Sequence, residues 1–176
     1  MKKLVLTALA AVLVPTLVSA QGTVQFSSVP TTDPQGPYQK VVRASDQAVL
    51  AGTTAQLWWS PDNIVAYTFI TPLVATSTSS GRITTGAVIA TTGAATPGGT
   101  TAWFYVYGEN LGAGLTGATP HFNNPTANGA LQPPPTPPFL TGWDSSVGSV
   151  QLVPEPSTIA LAGLGVGALL LFRRRK

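Results

Sequence analysis

The chain has 176 residues, no cysteine, 9% charged residues and a formal charge of +3. The missing thiols exclude disulfides, thiolate metal sites and cysteine nucleophiles. The excess cations stand at the two ends (Lys2, Lys3, Arg173, Arg174, Arg175 and Lys176), so a pI near 9.5 is no footprint for nucleic acid; the body sets Lys40, Arg43 and Arg82 against Asp33, Asp46, Asp62, Glu109, Asp144 and Glu155 and is mildly acidic.

Residues 1–20 have the three parts of a secretory signal peptide. Met1-Lys2-Lys3 is a cationic start, Leu4 to Val14 an apolar core, and Pro15 a breaker. Val18-Ser19-Ala20 then puts small side chains at the −3 and −1 positions of a cleavage site, so signal peptidase is expected to cut between Ala20 and Gln21. An uncut anchor is the alternative, but the run is short for a bilayer. Export permits disulfides, yet none can form, so stability must come from packing.

Residues 21–152 are enough for one domain with its own core. No helical periodicity runs through them. Turn residues recur between short β-branched and aromatic runs, which predicts an all-β fold: a single antiparallel, jelly-roll-like β-sandwich. The expected strands are Thr23 to Phe26, Gln39 to Arg43, Thr53 to Trp59, Ile64 to Phe69, Arg82 to Ala90, Thr101 to Tyr107 and Val147 to Leu152. Asp33-Pro34-Gln35-Gly36-Pro37, Ser60-Pro61-Asp62-Asn63, Pro97-Gly98-Gly99 and Gly108-Glu109-Asn110 supply the fixed or positive φ of turns.

Thr101 to Tyr107 is the clearest strand. Period-two alternation sets Trp103, Tyr105 and Tyr107 on one face and Ala102, Phe104 and Val106 on the other. Burial is the commonest use of aromatic area, but an exposed row can stack on sugar rings. Trp58 and Trp59, being adjacent, point to opposite faces, so at most one enters the core. Trp59, Trp103 and Tyr105 are accordingly the candidates for sugar stacking.

From Gly108 to Thr141 the composition shifts to Gly, Asn and Pro and predicts a long connection with no central strand, its Pro-rich loop at 120–141. Gln132 to Pro138 should form a stiff polyproline II spacer. Asn124-Pro125-Thr126 is no glycosylation acceptor, because proline holds the middle position.

The last segment, 153–176, joins three unlike elements. Pro154-Glu155-Pro156 is an extended, exposed hook, since both prolines fix φ and Pro156 keeps Glu155 out of the α region. Ser157 offers a helix N-cap to an apolar run from Ile159 to Phe172, expected to span the membrane over 158–172 with Ser157 and Thr158 in the interface. Gly163 and Gly167 have the spacing that lets membrane helices approach, although so short a Gly-rich run is better explained by ease of unwinding for a processing enzyme or by simple habit of such segments. Arg173, Arg174, Arg175 and Lys176 form a stop that stays cytoplasmic and places the rest of the chain across the membrane.

The run Val153-Pro154-Glu155-Pro156-Ser157-Thr158, the Gly/Ala/Leu stretch and the basic tail resemble the PEP-CTERM sorting signal of exported proteins in Gram-negative, exopolysaccharide-making bacteria. That resemblance implies recognition of the hook by a membrane-embedded cysteine transpeptidase, exosortase, processing near the motif, and release to the cell surface or matrix. It speaks to sorting and leaves open what the cargo does. An ordinary C-terminal anchor with a Pro-Glu-Pro linker is the alternative.

Catalytic chemistry has little to stand on. His121 is the only histidine, and a Ser-His-Asp arrangement would need Asp144 or Asp46 to orient it, with no Gly-x-Ser-x-Gly elbow to mark a serine. The carboxylates Asp33, Asp46, Asp62, Glu109 and Asp144 sit at expected turns, where backbone hydrogen bonds already explain them. No calcium loop, zinc spacing or phosphate loop occurs, so neither catalytic residues nor a metal or cofactor is expected. Two readings follow: a non-enzymatic surface or matrix protein, and a carbohydrate-binding module that engages exopolysaccharide through its aromatics.

Overall fold

The computed structural model describes residues 21–28, 36–83, 88–92, 96–128, 136–155 and 164. Its elements are β1 (Gly22–Phe26), β2 (Val41–Arg43), β3 (Thr54–Ser60), β4 (Thr68–Phe69), β5 (Val74–Ala75), β6 (Val88–Thr91), β7 (Thr101–Asn110), a 3-10 turn (Leu111–Ala113), β8 (Leu115–Ala118), β9 (Phe122–Pro125), β10 (Ala127–Asn128) and β11 (Val150–Pro154). The fold is all-β. The expected signal helix lies outside the described residues, as does the expected span at 158–172 apart from Leu164; among the described residues no helix is long and apolar enough to cross a membrane.

Two sheets form. A small one runs β10-β1-β6, and a large one runs β2-β11-β8-β7-β3-β4, with β5 added to β3 and β9 to β7. Both contribute to one core, in which Val24 and Phe26 of β1 join Leu57 of β3, Phe104 and Val106 of β7 and Leu152 of β11. The expectation of a purely antiparallel arrangement is corrected at one place: β2 and β11 pair in parallel, Val41 to Val150 through Arg43 to Leu152. The long intervening chain can make that crossover, whereas a hairpin cannot.

The centre of the large sheet is the antiparallel pair β3–β7, from Thr54 opposite Glu109 to Ser60 opposite Trp103. Each long strand is flanked on its outer side by two short ones with a break between them. Along β7 the break falls between β8 and β9 at Thr119-Pro120; along β3 it falls between β4 and β5 at Thr71-Pro72. Proline has no N–H for the ladder, which interrupts the pairing there. The preceding threonine fills the gap. Thr119 Oγ1 accepts from Val106 N (3.0 Å) and Thr71 Oγ1 from Leu57 N (2.8 Å), while Thr119 N donates to Val106 O and Ile70 N to Leu57 O. Val106 and Leu57 are themselves cross-strand partners, so the two repairs stand at the same level of the sheet.

Several local expectations are corrected. Gly108-Glu109-Asn110 is the end of β7 and not a turn; the chain reverses one step later, in the 3-10 turn closed by Gly114 at φ 62°. β8 lies inside the sheet between β11 and β7, against the expectation that residues 108–141 hold no central strand. Its glycine explains the misreading. Gly117 weakens strand propensity, but a Cβ there would sit 2.1 Å from the carbonyl oxygen of Gln151, so the close approach of β11 requires it. Ile64 to Val65 is a bend, and only Thr68–Phe69 of that expected strand pairs. Ile83 makes an isolated bridge to Thr76, and β6 begins at Val88; residues 84–87 are not described.

The connection before β11 covers one end of the core. Trp143 is buried with its Nε1 donating to Gly148 O (2.7 Å), and the fully buried Gln39 side chain donates to Leu140 O and Trp143 O. Asn124 ties the same segment to β9, accepting from Gly142 N and donating to Phe139 O. Buried polar side chains here complete the backbone hydrogen bonding of a segment that belongs to no sheet.

Candidate functional site

Alternation along β3 and β7 decides which aromatics face outward. Ala102, Phe104 and Val106 are fully buried, so Trp103, Tyr105 and Tyr107 occupy the outer face, each half-buried. Trp58 pairs with Tyr105 and shares that face; Trp59 pairs with Phe104 and packs against the core. Trp59, partly buried, thus stands on the opposite face from Trp103 and Tyr105.

A row of rings crosses the outer face. Phe69 of β4 meets Trp58 edge-on (centroids 5.6 Å, 68°), Trp58 lies nearly parallel to Tyr105 (5.6 Å, 13°), and Tyr105 lies nearly parallel to His121 (5.5 Å, 28°). Tyr67 closes over the row, 4.3 Å from His121 and 5.1 Å from Tyr105 between ring centroids. Such offset and edge-on contacts stabilise aromatic pairs beyond their area. Burial pushes the Tyr67 and Tyr105 hydroxyls up from their ordinary pKa, so both remain protonated donors. Trp58 Nε1 is buried without an acceptor among the described residues.

The row is held at its rim by a built loop. Asn63, at φ 63°, adopts the left-handed conformation that Asn tolerates better than most residues. Its Oδ1 accepts from the Tyr67 hydroxyl and lies 2.8 Å from Nδ1 of His121, a hydrogen bond in the tautomer that carries its proton on Nδ1. Asp62 Oδ1 accepts from Ile64 N (2.9 Å) and Val65 N (3.0 Å), and these backbone donors hold its carboxyl below the ordinary range. Phe69, at the end of the row, is 56% exposed, and Ile64 of the loop is 87% exposed.

Of the expected stacking residues, then, only Tyr105 belongs to the row; Trp103 stands on the same face opposite Ser60 and Asn123. Trp58, Tyr67, Phe69, Asn63 and His121 were not legible as a group. Alternation alone puts Trp58 opposite Trp59, but only the register of four strands aligns these rings.

His121 is bonded to neither of the acids that a Ser-His-Asp arrangement would need. Asp46 accepts from Arg43 Nε (2.9 Å) and Ala48 N (3.1 Å), and the Arg43 hydrogen bond brings its pKa to about 2. Asp144 accepts from Ser146 N and Oγ, which lowers its pKa likewise. Both carboxylates are engaged in their own turns.

At the other end of the sheet lies the C-terminal hook. Pro154 and Glu155 are extended and exposed, as expected, but they are not free of the domain. Val153 pairs with Thr116 and Pro154 with Leu115 at the end of β11, and Glu155 N donates to Gly114 O (3.2 Å). The sheet thus runs two residues past the expected domain end at 152. Pro156 lies outside the described residues, as do Ala20 and the tail Arg173 to Lys176; Gln21 is described and bridges to Pro97.

Comparison with known proteins gives one match. Residues 152–176 match the family model of the PEP-CTERM protein-sorting motif. No curated protein and no solved structure matches the chain. The C-terminal segment is therefore a PEP-CTERM sorting motif, the mark of an exported protein sorted at the membrane of a Gram-negative bacterium through exosortase.

Proposed function

Starting from a chain that carries a PEP-CTERM sorting motif, we propose a non-enzymatic cell-surface or matrix protein, a β-sandwich cargo with a sorting signal on its last strand. Signal peptidase removes residues 1–20, the run at 158–172 holds the protein in the inner membrane, and Arg173 to Lys176 keep the tail cytoplasmic. Exosortase then processes the chain near Pro154-Glu155-Pro156 and passes the domain to the outer surface or matrix. The observation that carries this reading is the match at residues 152–176, which begins inside β11. The non-enzymatic part is supported by where the acids go: Asp46, Asp62 and Asp144 each accept hydrogen bonds within their own turns. Intact-mass analysis of the protein recovered from its host tests the pathway. The expected mass lacks both ends, and a Pro154→Ala, Glu155→Ala double variant retains its C-terminus. Recovery of the full chain from Met1 to Lys176 in the cytosol would rule the reading out.

The aromatic row favours a second reading, a carbohydrate-binding surface for exopolysaccharide. Trp58, Tyr67, Tyr105 and His121 offer partly exposed rings with hydroxyl and ring-nitrogen groups at the rim. Against it, the rings contact one another and do not form three coplanar exposed faces. Affinity electrophoresis in gels cast with host exopolysaccharide separates the two readings. Retardation that is lost in Tyr105→Ala and kept in Trp103→Ala supports binding at the row; equal mobility with and without polymer removes this function.

A further inference from the structure

The β7–β8 tip and the exit of the chain toward its apolar tail share one end of the large sheet. Asn110 terminates β7 and Leu115 begins β8, and Glu155 N is bonded to Gly114 O between them. The tip is built rather than loose. Asn110, itself buried, donates through Nδ2 to Ala51 O (2.8 Å) and Thr53 Oγ1 (3.0 Å) and accepts from Ala113 N (3.0 Å). This frame holds Leu111 out, 79% exposed, with Val153 of the exit strand at 49%.

We propose that this tip is a membrane-interface contact: Leu111, supported by Ala113 and Val153, seats the domain on the lipid surface that the tail enters. The inference rests on the reading that the run beginning at Ile159 enters the bilayer. Four peptide steps separate Glu155 from Ile159, so the last sheet-bonded residue stands at most roughly 14 Å from the start of that run. The polar layer of one leaflet is itself about 5–8 Å deep, the difference between a hydrocarbon core and a whole bilayer shared between two sides. A tether that short brings the tip to the headgroups, where an exposed leucine gains from leaving water. The charges at this end do not favour an ionic contact. Glu109 and Glu155 are acidic, and Arg43 is paired with Asp46, so the contact is apolar and independent of salt. Ile64 is equally bare but lies beyond Ser60, opposite Trp103, seven residues along β7 from Asn110, or roughly 24 Å.

The chain has no cysteine, so single thiols report single positions. Full-length Leu111→Cys, Ile64→Cys and Leu164→Cys proteins, each labelled with an environment-sensitive fluorophore, are reconstituted into phosphatidylcholine vesicles containing lipids with a nitroxide quencher near the headgroup. The expected result is a blue-shifted, quenched signal at positions 111 and 164, an aqueous signal at 64, and no change at 111 between low and high salt. Quenching at 164 with an aqueous signal at 111 overturns the tip contact and leaves the tail reading intact. An aqueous signal at 164 overturns both. Equal quenching at 111 and 64, or loss of the signal at 111 in high salt, also overturns the oriented apolar contact.

Discussion

Thr71 and Thr119 show how much one hydroxyl can decide in a sheet broken by proline. Each accepts from a buried N–H of the long central pair, Leu57 N or Val106 N, that the proline-interrupted neighbour leaves without a backbone acceptor. Thr119→Val and Thr71→Val keep shape and volume but orphan that donor, so each is expected to cost about 1–3 kcal/mol. Chemical denaturation measures the loss, and Thr→Ser at the same positions should recover most of it. A valine variant as stable as the parent would mean that another group satisfies the amide. The Thr-Pro pairs were visible in the chain, but their role was not. Thr-Pro reads as a turn until a long strand is found running past it.

At the scale of elements, β11 joins cargo and signal. Its first three residues pair with β2 on one side, and its last two pair with β8 on the other, so the sorting motif begins as part of the sheet. Processing that leaves Glu155 on the domain preserves every pair of β11; a cut before Val153 removes both of its ladder pairs with β8. A chain ending at Leu152 is therefore expected to be about 1–3 kcal/mol less stable than one ending at Glu155, since the Val153–Thr116 ladder and the Glu155–Gly114 hydrogen bond are lost. Melting of the two truncated domains compares them directly. Equal midpoints would mean that the strand end contributes nothing. The strong strands β1, β3 and β7 were legible because alternation and β-branched or aromatic residues agree there. β8 and β9 were not, since Gly117, Asn123, Asn124 and Pro125 are poor strand formers that only pairing with β7 and β11 makes into strands.

For the whole molecule, function divides along the chain. The sorting motif at residues 152–176 was readable from order alone, because a short linear pattern works through neighbouring residues and needs no partner distant in sequence. The all-β character was readable for the same reason, as turn chemistry and alternation are local. What the tertiary structure alone decided depends on register. It put Trp59 inward and Trp58 outward, drew Phe69, Trp58, Tyr105 and His121 into one row, and bonded the sorting hook to the β7–β8 tip. Sliding a strand by one residue would turn each of these side chains to the other face, and that choice is made by the packing of the shared core, not by any stretch of sequence read by itself.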